Sequence, residues 1–139
     1  MFELLLFANA IWFGLGFHLF AIRSKIFAKT LVPKEHRETP VFDVLAESGK
    51  FLGGFNFALC AFNLLVALKS AVFPTSEQRL VLCLFFAIAH GSQFFFNVPI
   101  AIENRKGRGA WRVEGKMRFI FATDFVLMVA NALAAAIYA

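Results

Sequence analysis

Four apolar stretches, residues 4–22, 51–68, 80–102 and 119–137, are each about long enough to cross a bilayer core at ~1.5 Å of rise per residue. Polar residues are set inside every one of them. The first holds Asn9 and His18, the second Asn56 and Asn63, the third His90, Gln93 and Asn97, the fourth Asp124 and Asn131. An unsatisfied polar group in hydrocarbon is costly, so these side chains are expected to face one another rather than lipid. The pattern predicts an all-α integral membrane protein, with four transmembrane helices in one compact bundle around a polar seam. Residues 1–139 read as a single domain.

Composition supports that class. Hydrophobic residues make up 60% of the chain and charged residues 17%, against about 45–50% and about 25% in soluble domains. The formal charge is +5, and its placement is more informative than its size. Of 14 Lys and Arg, six lie in residues 23–50, two in 69–79 and six in 103–118. The first and third connections lie on one side of a four-span chain, and the positive-inside rule assigns them to the cytoplasm. The expectation is N-out/C-out, in the inner or plasma membrane if the source is bacterial. The cations flank apolar spans and show no aromatic interleaving, which argues against nucleic acid and for anionic headgroups as partners. The first apolar run starts at Phe2 without a basic leader and runs directly into Arg23 and Lys25, so it reads as a span and not as a cleavable signal peptide.

Between spans, residues 24–39 read as a polar connection with Pro33 and a solvated run that includes His36. Thr39-Pro40 is a helix start, a hydroxyl residue before proline at the first helical position. A continuous helix from there would put an amphipathic cytoplasmic extension, residues 41–50, ahead of the second span. Thr75 and Gln78 stand at capping-box spacing before the third span. Gly107, Gly109 and Gly115 suggest a flexible third connection, with Trp111 as an interfacial anchor. Gly49 and Gly53 form a G-x-x-x-G, and Ala130 and Ala134 share its spacing, both suited to close helix approach within the bundle or between subunits. A shift of 68 residues lays Asn56 on Asp124, Leu59 on Leu127 and Asn63 on Asn131, a weak internal repeat.

Helical rise sorts the polar residues by depth. Measured from the cytoplasmic ends of the apolar stretches, His18, Asn56, Asn97 and Asp124 lie ~6–7.5 Å in, and Asn9, Asn63, His90 and Asn131 lie ~18–20 Å in. Asn56–Asn63, His90–Asn97 and Asp124–Asn131 are seven residues apart, hence on nearly one helix face, and Gln93 joins the His90 face. Asn9 and His18 are nine apart, on nearly opposite faces. One of them must turn from the seam, at least cost His18.

No nucleophile elbow, phosphate loop or paired-carboxylate motif is present, so no enzyme class follows from the chain. Cys60 and Cys83 lie in apolar segments without metal-ligand spacing. His18 and His90 differ by ~12 Å in depth, too far for one haem iron, and no cofactor or metal is expected. In size and span count the chain is similar to several small membrane families, but no motif carries a residue across from any of them. Three readings stay open. The first is a non-catalytic accessory or scaffold subunit of a membrane enzyme system, working as a homo-oligomer or within a larger complex. The second is an enzyme or binder for a lipophile such as a quinone, sterol or fatty-acyl chain, its head held among Asp124, His90, Gln93 and Asn97. The third, a transporter or proton path, is disfavoured by how little space four short helices enclose.

Overall fold

The computed structural model describes residues 1–109 and 111–139, and every regular element among them is helical. The helices are α1 (Phe2–Phe17), which continues as a π-helical turn over His18–Ile22, then α2 (Ser24–Leu31), α3 (Pro40–Leu68), α4 (Ser76–Arg105) and α5 (Lys116–Tyr138). Four segments are long and apolar enough to cross a membrane: Phe2–Ile22, Pro40–Leu68, Ser76–Arg105 and Lys116–Tyr138. By its internal contacts the chain forms two compact units, one of Leu6–Leu68 and the other of Met1–Leu5 together with Lys69–Ala139.

In the Leu6–Leu68 unit, α1 and its π turn run antiparallel to α3. Phe17 meets Phe57 with ring centroids 5.1 Å apart, and Gly14 faces the Cys60 sulfur. The G-x-x-x-G is spent inside this unit. A Cβ on Gly53 would stand 2.5 Å from the Ala21 Cβ and 2.7 Å from its backbone nitrogen, so only glycine admits the π turn here.

The connection 24–39 is not a plain polar loop, because α2 fills much of it. Ser24, Ala28 and Val32 recur at helical spacing and turn toward the start of α3. There, buried Ala28, Phe42 and Ala46 form a small core with Val32 and Leu45 around it. The α2 C-terminus is closed by Arg37, whose Nη2 and Nε donate to the Lys29 and Val32 carbonyls at 2.8 and 2.9 Å. The helix predicted from Thr39-Pro40 forms and runs unbroken to Leu68. The Thr39 hydroxyl donates to the His36 carbonyl at 2.8 Å, bracing the turn that precedes it.

In the other unit α4 opens with the predicted capping box, Thr75 accepting from the Gln78 backbone and Gln78 from that of Thr75. It continues past Pro99 to Arg105, then α5 returns antiparallel. Arg79 lies over two rings, 5.4 Å from the Phe2 centroid and 5.9 Å from that of Tyr138, and those rings meet edge to face at 6.0 Å. The first residues of the chain, the start of α4 and the end of α5 thus share one end of this unit.

The glycine-rich connection to α5 is tied rather than loose. Asn104 Nδ2 donates to the carbonyls of Arg108 and Trp111 at 3.0 and 2.9 Å, while its Oδ1 accepts from the Val113 backbone N–H at 2.7 Å. Gly109, at φ 123°, adopts a backbone that side chains rarely allow, and an added Cβ would collide with the Asn104 amide.

Candidate functional site

The feature best defined in chemistry is the meeting of His90 and Asp124. His90 Nδ1 lies 3.0 Å from Asp124 Oδ1, with side-chain exposures of 0% and 5%. The two atoms are at hydrogen-bond distance, and the bond joins α4 to α5. A turn farther along, Phe94 stacks on Phe121 at 4.5 Å and 25° and leans on Phe125 at 5.0 Å. Gly91, beside His90, admits Met128: its missing Cβ would lie 3.2 Å from the Met128 sulfur. The pair is thus bordered by apolar groups, where loss of one partner is expensive.

The bond corrects the two-depth scheme in this unit. Asp124 was expected level with Asn97, yet it meets His90, seven residues or ~10 Å away along α4. The reason is a stagger between the helices. From the paired residues α4 runs 15 residues to Arg105, whereas α5 runs back only eight to Lys116, so α4 overshoots by ~10 Å. Depth counted from the edges of apolar runs misses an overshoot of that kind. Asn97 is half-buried and bonds the Gln93 carbonyl of its own helix at 2.8 Å. Gln93 does not share the buried face: its side chain is exposed, since three residues turn it ~60° from His90.

In the Leu6–Leu68 unit the predicted facing holds for span 1, with Asn9 buried and His18 exposed. Asn56 lies against Gly16. Asn56, Asn63 and, in the other unit, Asn131 each donate Nδ2 to the carbonyl four residues back, at 2.8 Å. Asn63 and Asn131, equivalent under the 68-residue repeat, therefore behave alike. Asn56 and Asp124 do not, one bonding its own helix and the other a neighbour. Asn63 is fully buried, and its Oδ1 accepts no hydrogen bond among the described residues.

Asn104 was missed as an organising residue. Its position at the edge of an apolar run reads as surface, and the glycines around it were the only local signal. Among the described residues, no group of three or more His, Cys, Asp or Glu side chains is placed to hold a metal. No protein-family model, curated protein or solved structure matches the chain.

Proposed function

We propose that this protein is a non-catalytic accessory or scaffold subunit of a membrane enzyme system. The observation that carries the reading is the His90–Asp124 bond. Two buried titratable side chains turned on each other are spent on joining helices, not on holding a substrate. The asparagines that bond their own helix backbones fit the same use. In this arrangement the termini and the 69–79 turn lie outside and the basic segments 23–50 and 103–118 lie in the cytoplasm, available for docking. The Arg79 cluster, with Phe2 and Tyr138 at one end of a unit, supports placing both termini on one face. At 29 residues, α3 is ~43 Å long against ~30 Å of hydrocarbon. Its first turns, with exposed Asp43, Glu47 and Lys50, form the interfacial extension.

A second reading, binding of a lipophile with a donor headgroup, is favoured by one atom. Asn63 Oδ1 is a buried acceptor awaiting a donor, and a hydroxyl-bearing quinol or sterol supplies one. Purification of the full chain from native membranes in mild detergent separates the two readings. A protein recovered at fixed stoichiometry supports the subunit. A solitary chain carrying one stoichiometric lipophile overturns it in favour of the binder.

A further inference from the structure

We propose that residues 103–118 form a shaped site for the phosphate headgroups of anionic glycerophospholipids. The segment carries six cations against two carboxylates, and all six cationic side chains are exposed. Charge alone would make this a diffuse basic loop, and the geometry makes it more. Asn104 ties the backbone at Arg108, Trp111 and Val113. Glu103 holds Lys106 at 2.8 Å and Arg108 at 3.2 Å. Both anchors stand on the last turn of α4, so the loop inherits its shape from a spanning helix.

Three cations are left over. Among the described residues no carboxylate pairs with Arg105, Lys116 or Arg118, whereas Arg112 lies 3.7 Å from Glu114. Arg105 closes α4, and Lys116 and Arg118 stand on the first turn of α5, so the three flank the tied loop on either side. Ile102 on α4 and Phe119 on α5 are exposed apolar side chains within one turn of these cations, available to acyl chains. The phosphodiester of an anionic glycerophospholipid offers several acceptor oxygens and a net negative charge, whereas a zwitterionic headgroup carries its own ammonium beside the same phosphate.

The inference rests on the span assignment and not on the scaffold reading. It is tested on the full-length protein by native mass spectrometry, after release from bilayers of equal phosphatidylcholine and phosphatidylglycerol. The wild type should retain phosphatidylglycerol preferentially. Arg118→Gln should lower that retention about fivefold, the usual weight of one cation near an anionic surface. Asn104→Ala changes no charge, yet by untying the loop it should weaken retention at least as much. If Asn104→Ala proves unstable, Gly109→Ala tests the same point, since its strain is confined to the loop. Equal retention of both lipids overturns the proposal. So does wild-type retention in a folded Asn104→Ala or Gly109→Ala variant, which would reduce the segment to unshaped charge. Preference for an acidic protein segment over lipid, read by competition, would also overturn it.

Discussion

Asp124 reaches across from α5 to His90 on α4, 3.0 Å from carboxylate oxygen to ring nitrogen, at a point where neither side chain meets solvent. Removing one member takes a polar partner from the other at a buried position. Asp124→Leu and His90→Leu should each cost on the order of 3 kcal/mol. The double Leu variant should cost less than the sum of the two single losses, because the bond between the two residues is then lost only once. Asp124→Asn keeps an acceptor toward His90 and should stay close to wild type in folding. Thermal melts of the four proteins in one detergent decide the matter. Additive single losses would mean that the two residues do not act as a pair.

Asn63 and Asn131 occupy equivalent places in the internal repeat and should respond unequally. Both spend Nδ2 on a carbonyl of their own helix, so neither Leu variant should prevent extraction of folded protein, and Asn131→Leu should lose near the ~0.6 kcal/mol average for such groups. Asn63 also carries an unsatisfied buried oxygen. Its removal relieves a cost, and Asn63→Leu should melt at or above the wild-type temperature. A melting point lower than that of Asn131→Leu would reverse the expected order.

Neighbouring glycines on α3 give a paired test of close approach. Gly53→Ala drives a methyl group into Ala21, whereas a Cβ on Gly54 meets nothing within 4 Å. Gly54→Ala should gain about 0.5–1 kcal/mol through helix propensity. Gly53→Ala should lose more than that. Melting curves of equal shift for both would show that α1 and α3 do not approach as described.

The proposed sidedness is open to a reporter experiment. A fusion after Ala139 should report the non-cytoplasmic side, and a cysteine placed at Lys34 should label only after the membrane is opened. A cytoplasmic signal from the fusion, or labelling of intact cells at position 34, would invert the arrangement.

The spanning helices could be read from the chain because apolar runs of that length have few alternatives in water. Thr39-Pro40 and Thr75–Gln78 marked two helix starts through local chemistry alone. What escaped had no such local signature. In α2 the apolar face is carried by Ser24, Ala28 and Val32, small residues outweighed by Arg23, Lys25 and Lys29 in any hydropathy window. The level at which Asp124 meets α4 depended on how far α4 outruns α5. The sequence named both members of the pair as polar seam residues, but it placed them in different layers.

Phe2 and Tyr138 touch although 136 positions separate them in the chain, with Arg79 spanning both rings. Contacts so distant in sequence form late, because the loop between them must first be closed. The first turn of the chain is therefore made first and seated last. A fragment beginning at residue 69 would contain α4 and α5 in full yet lack the ring that meets Tyr138, so cutting the chain between its two units breaks one of them. Phe2 can meet Arg79 once α4 is made, but its contact with Tyr138 must wait for the last turn of α5.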